Sequence, residues 1–242
     1  MSKKNRAEDR AARAAEARAA QQRAERARTV RMAAIVAVGM VLVVVAGFLL
    51  TRAMDTSKDV EATPAGSGEH GVTIGAPDAP HSVVVYEDFL CPFCGELEAT
   101  TRDDFERLAE DGDLLVEYRP FNLLERISDY SPRAVNAFAV VLEESGPEVA
   151  KRFHDLLFDN QPSESGPFPD DQDLLDLAVE AGAEEAAVSE GILEGTMRDW
   201  VDEATAQAID AGVRGTPTVI LDGEVVQGSA EEILDAVLEA TA

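Results

Sequence analysis

The stretch SVVVYEDFLCPFC, residues 82–94, contains both cysteines of this 242-residue chain, Cys91 and Cys94. A disulfide between residues this close closes a small ring and adds little cross-linking to a fold, so the pair is a poor structural staple. A tetrahedral zinc site needs four ligands, and none of the three histidines stands at ligand spacing from the pair. The pattern therefore favours redox exchange, in which one sulfur attacks and the other resolves. An incidental or metal-binding pair is the alternative.

The residues around the pair predict that it lies where a strand meets a helix. Residues 82–86 are mostly β-branched and predict a buried strand. After Cys91 the apolar positions follow a helical period. The expected buried face of this helix contains Leu97, Thr101, Phe105 and Leu108.

The start of this helix predicts different chemistry for the two sulfurs. Pro92 suits the first helical position, because its missing N–H has no partner there in any helix. The free backbone N–H groups of Phe93 and Cys94 then point at the sulfur of Cys91, and they stabilise its thiolate. We therefore expect Cys91 to be the attacking, solvent-facing thiol and Cys94 the buried, resolving one. A stabilised thiolate also makes the disulfide a stronger oxidant.

The rest of the chain after residue 72 predicts a mixed α/β domain. A second strand is expected at residues 114–118, followed by helical segments over about residues 125–212. Two short strands, residues 218–221 and 224–226, are joined by Asp-Gly, a strong hairpin signal. A final helix follows. A strand–helix–strand unit followed by a hairpin and a helix suits a mixed sheet with helices on both faces.

Two motifs together resemble the DsbA-like branch of the thioredoxin superfamily. They are FLCPFC, residues 89–94, after a hydrophobic strand, and GTPT, residues 215–218, before the hairpin. The resemblance covers about residues 72–240. It implies a thioredoxin fold whose βαβ and ββα halves are separated by a helical insertion, about residues 125–212. It also implies a cis peptide bond between Thr216 and Pro217 beside Cys91, where the Thr216 backbone could pair with a substrate chain. An ordinary trans proline at the start of an edge strand is the alternative.

Further predictions concern the residues next to the two cysteines. The best-known DsbA oxidases have Pro-His between the cysteines, whereas this chain has Pro92-Phe93, and Phe93 offers no charge to hold a thiolate. Relatives also suggest a buried acid near the cysteines that moves a proton, a possible role for Glu87 or Asp88. We favour a solvated strand end for both.

Further predictions concern side chains away from the two cysteines. His154 is expected to be a packing or surface residue rather than a catalyst. Phe89 is expected to flank, together with Phe93, a hydrophobic groove for unfolded substrates. Thr216 and Phe93 are the residues expected to tune the redox potential.

Charge divides the chain at a hydrophobic segment. The overall net charge is −26, with +6 over residues 1–31 and −33 over residues 53–242. Residues 32–51 carry no charge, and as a helix they would span about 30 Å, the thickness of a bilayer core. The positive-inside rule then predicts a cytoplasmic basic tail (1–31), a transmembrane anchor (32–51), a flexible linker (52–71) and an extracytoplasmic domain (72–242). A cleaved signal peptide is the competing interpretation.

These features together predict a membrane-tethered thiol–disulfide oxidoreductase that oxidises exported proteins. Disulfides persist outside the cytoplasm, and the strongly acidic domain argues against nucleic acid as a partner. No cofactor and no metal are expected. The resemblance implies a membrane partner that reoxidises the enzyme, either DsbB-like or vitamin K epoxide reductase-like. The alternatives are a reductase or isomerase on the same fold, and a non-catalytic chaperone or metal carrier.

Overall fold

A five-stranded mixed sheet is the centre of the domain in this computed structural model, which describes residues 60, 64–66 and 70–242. The strands are β1 (Val72–Ile74), β2 (His81–Glu87), β3 (Leu114–Pro120), β4 (Thr218–Leu221) and β5 (Glu224–Val226). Their order across the sheet is β1-β3-β2-β4-β5. Strands β2 and β3 are parallel, and every other neighbouring pair is antiparallel. This is the predicted βαβ unit, extended by the predicted hairpin.

Helices surround this sheet. They are α1 (Pro92–Asp111), α2 (Tyr130–Ser145), α3 (Pro147–Asp159), α4 (Asp171–Glu180), α5 (Glu185–Glu194), α6 (Arg198–Asp210) and α7 (Ala230–Ala240). Helix α1 connects β2 to β3 and packs against α7. Helices α2 to α6 lie between β3 and β4 in the chain, and α2 contacts each of the other four. The chain therefore has the mixed thioredoxin-like fold with a helical region that the sequence predicts.

Helix α1 shows how local sequence fixes the element that carries the cysteines. Its N-cap is Cys91, in an extended conformation, and Pro92 occupies the first turn. The helix ends at Gly112, whose φ of +84° is a left-handed conformation that glycine adopts without steric cost. The amide of Gly112 donates to the carbonyl of Ala109, which closes the last turn. The predicted face, Leu97, Thr101, Phe105 and Leu108, is buried.

Two elements are not predicted by the sequence pattern. Strand β1 has only three residues, too few to show an alternation, and it is fixed by pairing with β3. Helix α5 contains Gly191, a poor helix former in a helix interior. A Cβ at Gly191 would press on the side chain of Val140 in α2, so close packing against α2 requires this glycine.

The structure describes only a small part of the N-terminal segments that the sequence predicts. The basic tail, the anchor and most of the linker lie outside the described residues. Within the described residues, no helix has the length and apolar character needed to cross a bilayer. The described end of the linker lies against the domain. The amide of Gly66 donates a hydrogen bond of 2.6 Å to the side chain of Glu117. His70 is buried, and the centroid of its ring lies 4.8 Å from that of Trp200.

Candidate active site

The two cysteines lie at the start of α1, and both are free thiols. Cys94 is completely buried, as expected. The expectation of a solvent-facing Cys91 is wrong, because this residue is only 4% exposed. The loop before β4 covers it, and Sγ of Cys91 donates to the carbonyl oxygen of Thr216 over 3.3 Å. The sulfur is therefore reached from the side of this loop rather than from open solvent.

The two thiols differ strongly in acidity. The pKa of Cys91 is lowered to about 6, chiefly by a hydrogen bond from the thiol of Cys94, with burial opposing. Hydrogen bonds from the side chain of Thr216 and from the backbone amides of Cys94 and Phe93 lower it further. Burial raises the pKa of Cys94 well above its ordinary value, and the nearby charges of Cys91 and Glu87 add to this. At neutral pH the pair is therefore a thiolate at Cys91 beside a thiol at Cys94. The predicted backbone amides contribute, but less than the neighbouring thiol.

The loop before β4 has the conformation that the resemblance implied. The peptide bond between Thr216 and Pro217 is cis. The same loop places the Thr216 carbonyl against the Cys91 sulfur, although the two residues are 125 positions apart. Residues Cys91, Cys94, Thr216 and Pro217 thus meet at one place on the molecule.

A groove of about 560 Å³ runs beside this loop. Phe93 is 67% exposed and lies on its wall. Other lining side chains come from the loop, from β5 and from α7, and include Thr216, Pro217, Val225 and Ile233. The expectation for Phe93 agrees with this position. The expectation for Phe89 is wrong: Phe89 is fully buried and packs on the rings of Phe138 and Phe158, because the end of β2 faces the inserted helices.

Glu87 and Asp88 do not form a solvated strand end, since both are completely buried. Asp88 accepts four hydrogen bonds, from the amides of Leu90, Leu123 and Leu124 and from the hydroxyl of Ser131. It ties the end of β2 to the segment between β3 and α2. These four bonds make Asp88 an anchor of the fold.

Glu87 has a different environment. Its Oε1 lies 2.6 Å from Nε2 of His154, which is completely buried on α3. The sequence pattern does not predict His154 as a partner of Glu87, because no spacing rule connects a strand end with a helix 67 residues away. Burial lowers the pKa of His154, but the charges of Glu87 and Glu98 and a hydrogen bond to Asp155 raise it to about 10 overall.

Glu98 completes a buried cluster with Glu87 and His154. Glu98 is 1% exposed, and burial raises its pKa to about 7. The three side chains lie within 4.8 Å of one another, close enough to surround a cation. Nε2 of His154 is nevertheless already hydrogen-bonded to Glu87, so we interpret the cluster as an ion pair with a second acid beside it.

Comparisons with known proteins identify similar sequences and similar folds. The family model described as thioredoxin matches residues 67–240. The reduced disulfide bond oxidoreductase DsbG from Mycobacterium tuberculosis is 31% identical, with a TM-score of 0.62 over 77% of this chain and 90% of its own. DsbA from the same organism is 29% identical, with a TM-score of 0.58 over 71% of this chain and 99% of its own. BdbD from Bacillus subtilis is 23% identical with a TM-score of 0.64, over 75% of this chain and 97% of its own, and shows the fold.

Curated proteins are matched over only part of their length. The serine/threonine-protein kinase PknE of Mycobacterium tuberculosis is 32% identical over 165 residues, which are 64% of this chain and 29% of the kinase. The Na(+)/H(+) antiporter NhaA 3 of Salinispora tropica is 29% identical over 177 residues, which are 69% of this chain and 24% of the antiporter. The matched region thus spans less than a third of either protein.

Proposed function

This chain belongs to the thioredoxin family, within its DsbA-like branch of thiol–disulfide oxidoreductases, and we propose that it oxidises the thiols of exported proteins through a Cys91–Cys94 disulfide. One observation carries this proposal: the Cys91 sulfur lies at the start of α1 against the loop with the cis Thr216–Pro217 bond, while Cys94 is buried one turn further on. This position lowers the pKa of Cys91 to about 6, and burial raises that of Cys94. A thiolate stabilised at neutral pH is a good leaving group, and its stability favours the reduced enzyme. The disulfide form should therefore take electrons readily from other thiols.

The reaction proceeds in two exchanges. A substrate thiolate attacks Sγ of Cys91, the Cys91–Cys94 bond breaks, and Cys94 leaves as a thiolate that takes up a proton. A second substrate thiolate then attacks the substrate sulfur of the mixed disulfide, and Cys91 leaves as its stable thiolate. The substrate loses two electrons and two protons and gains a disulfide. The enzyme gains the two electrons and, at Cys94, one proton, and the other proton goes to solvent.

The groove beside Cys91 is suited to an unfolded chain. Phe93 presents an apolar ring at its wall, and the Thr216 backbone lies at the sulfur. We assign to Thr216 the pairing of its backbone with an extended substrate, and to Pro217 the removal of a backbone N–H that would compete. Pro92 starts the helix whose first amides face the thiolate.

We place the domain outside the cell membrane. The basic segment 1–31, the uncharged segment 32–51 and the acidic remainder support an anchored protein with a cytoplasmic N-terminus. A membrane partner, DsbB-like or vitamin K epoxide reductase-like, would return the enzyme to its disulfide form. A fusion of alkaline phosphatase to the C-terminus tests this placement: activity in intact cells is expected, and an inactive, cytoplasmic fusion contradicts it.

The direction of the reaction is tested with the full chain. Equilibration with reduced and oxidised glutathione should give a reduction potential less negative than about −200 mV. The oxidised chain should also speed the appearance of disulfides in a reduced, unfolded test protein, and Cys91→Ser should abolish this. A potential of about −270 mV or lower would instead indicate a reductase. Unchanged activity of Cys91→Ser would indicate a chaperone.

A further inference from the structure

The described end of the linker is docked on one face of the central sheet by a buried ion pair. Glu117 and Arg119 of β3 form this pair over 2.8 Å, and their side chains are 1% and 9% exposed. Oε2 of Glu117 accepts a hydrogen bond of 2.6 Å from the amide of Gly66. Nη2 of Arg119 donates a hydrogen bond of 3.3 Å to the carbonyl oxygen of Pro64. The two charged side chains therefore bind the backbone of the linker as well as each other.

Apolar contacts hold the same part of the linker. Tyr86 of β2 stands opposite Arg119 in the parallel register, so the two side chains share a face of the sheet. Nη1 of Arg119 donates a hydrogen bond of 2.7 Å to the hydroxyl of Tyr86. Tyr86 and Val84 belong to a cluster of buried apolar residues, and Val60 and Ala65 of the linker pack against this cluster.

Val60 is also part of the groove beside the cysteines. It lines the groove together with Phe93, Thr216 and Pro217, and its side chain is half-buried. Four peptide units join Val60 to Pro64, and they span at most about 14 Å. The hydrogen bond that holds Pro64 therefore keeps Val60 close to this face of the sheet.

We propose that Val60 is a specificity-determining residue of the substrate groove, and that the Glu117–Arg119 pair positions it. This inference rests on the proposed function, because the groove leads to the sulfur of Cys91. An apolar side chain of the substrate, next to its cysteine, would contact Val60 and leave water. The preferred substrate is therefore an unfolded segment with an apolar residue beside the cysteine. The linker would thus bind substrate in addition to tethering the domain.

The groove stays open with the linker in place. Its volume is about 560 Å³, and the ring of Phe93 on its wall is 67% exposed. The other lining residues come mainly from the loop before β4, from β5 and from α7. Val60 adds apolar surface to the wall without filling this space. We therefore expect Val60 to strengthen substrate binding rather than to obstruct it.

Steady-state oxidation of two peptides by the full chain tests this role. Both peptides contain a pair of cysteines, and they differ in having leucine or serine beside the first one. Val60→Ser should raise KM for the leucine peptide about 3- to 10-fold, with KM for the serine peptide and both kcat values unchanged. The reduction potential should also be unchanged, because the substitution lies in the groove wall. Val60→Ile, which keeps a β-branched apolar side chain, should retain the native KM.

A matched control and a second variant separate binding from positioning. Val179 is 40% exposed on α4 and lies outside the groove, so Val179→Ser should change KM for neither peptide. Arg119→Lys keeps the positive charge but loses the planar fork that reaches three partners. It should raise KM for the leucine peptide as Val60→Ser does. Because both changes act on one contact, the double variant should show no larger rise than Val60→Ser alone.

The outcomes distinguish this inference from the proposed function. A native KM for the leucine peptide in Val60→Ser overturns the inference while the exchange itself continues. An equal rise for both peptides, or a shifted reduction potential, also overturns it, because the effect is then not selective for the apolar contact. A lower KM overturns it as well, and would show that the linker obstructs the groove. Failure of the unaltered chain to oxidise either peptide overturns the proposed function instead. Val60→Ser decides the question if Arg119→Lys does not fold.

Discussion

Nε2 of Gln161 donates a hydrogen bond of 2.9 Å to the carbonyl oxygen of Cys91, seventy residues away in the sequence. A second bond of 3.1 Å runs from the same atom to the carbonyl of Phe89. The Cys91 carbonyl also accepts hydrogen bonds from the amides of Cys94 and Gly95, of 3.0 and 3.2 Å. The loop after α3 therefore holds the junction of β2 and α1 from outside, and it fixes the turn whose amides face the Cys91 sulfur.

Removing this contact should raise the pKa of Cys91. In Gln161→Ala the first turn of α1 loses an external restraint, so its amides no longer hold the thiolate as closely. We expect the pKa, measured by the ultraviolet absorbance of the thiolate, to rise above about 6, and the free energy of unfolding to fall by about 1 kcal/mol. Gln172→Ala, which removes an exposed bond to Asp176 on α4, is the control and should leave the pKa unchanged.

Gly95 supplies an independent check of the same contact. A Cβ at Gly95 would run into the side-chain amide of Gln161. Gly95→Ala alone should therefore displace Gln161 and raise the pKa of Cys91. In the Gln161→Ala background the clash is gone, and the same change should stabilise the helix by about 0.5–1 kcal/mol. Additive effects of the two changes would show that the contact is not important.

The thiol of Cys94 should be the main source of the acidity of Cys91. Its hydrogen bond is the largest contribution that lowers the pKa of Cys91. In Cys94→Ala this donor is lost while the backbone amides remain, so the pKa should rise from about 6 toward 9.0 without reaching it. Titration of the thiolate absorbance measures this. A pKa that stays near 6 would mean that the amides alone hold the thiolate.

Stability should depend on pH differently in the reduced and the oxidised protein. The folded pKa of Cys91 is lower than its unfolded value of about 9, so its contribution to stability is complete above that pH and is lost as the pH falls through 6. The disulfide form has no thiol to titrate. Denaturant unfolding at a series of pH values should therefore show the reduced form gaining stability relative to the oxidised form between pH 6 and 9. A constant difference between the two forms would contradict the lowered pKa.

The sequence predicts the parts of this site that depend on local pattern. The strand ending at Glu87, the helix beginning at Pro92 and the Asp222-Gly223 hairpin follow from β-branched runs, a proline position and a turn dipeptide. The resemblance to the DsbA-like branch implies the cis bond before Pro217, and the structure has it. These features involve neighbours in sequence or a recognised motif.

The contacts made by the inserted helices could not be predicted in this way. Gln161 and His154 reach β2 and α1 across about seventy residues, and no periodicity connects them. For Glu98 a signal did exist, because it lies four residues after Cys94 and three before Thr101, on the buried face of α1. A carboxyl on an apolar helix face indicates a buried charge that needs partners. The solvated strand end predicted for Glu87 and Asp88 is wrong because charged residues are mostly exposed, and the partners that bury these two lie 35 or more residues away in the sequence.

Asp88 should be essential for stability and unimportant for thiol acidity. In the native protein, the amides of Leu123 and Leu124 and the hydroxyl of Ser131 donate to the Asp88 carboxylate. The side chain of Asp88→Asn accepts on one oxygen only, and its NH₂ group would face some of these donors. We expect a loss of about 3 kcal/mol in the free energy of unfolding, with little change in the pKa of Cys91. Asp78→Asn, at an exposed turn, is the control and should be neutral. A near-native midpoint in denaturant for Asp88→Asn would contradict the anchoring role.

Phe93 should affect substrate binding and redox potential separately, because its ring is 67% exposed on the groove wall while its amide faces Cys91. Phe93→Ala removes the ring and keeps the amide, so KM for an unfolded substrate should rise about 5- to 30-fold with the reduction potential unchanged.

Phe93→His adds a donor that carries positive charge below a pH of about 6.5 and favours the thiolate. The pKa of Cys91 should then fall below 6, and the potential should rise by about 30 mV for each tenfold gain in the stability of the reduced form. Glutathione equilibration and steady-state oxidation of a reduced test protein measure the two effects. Equal shifts in potential for both variants would show that Phe93 acts through the helix rather than through its side chain.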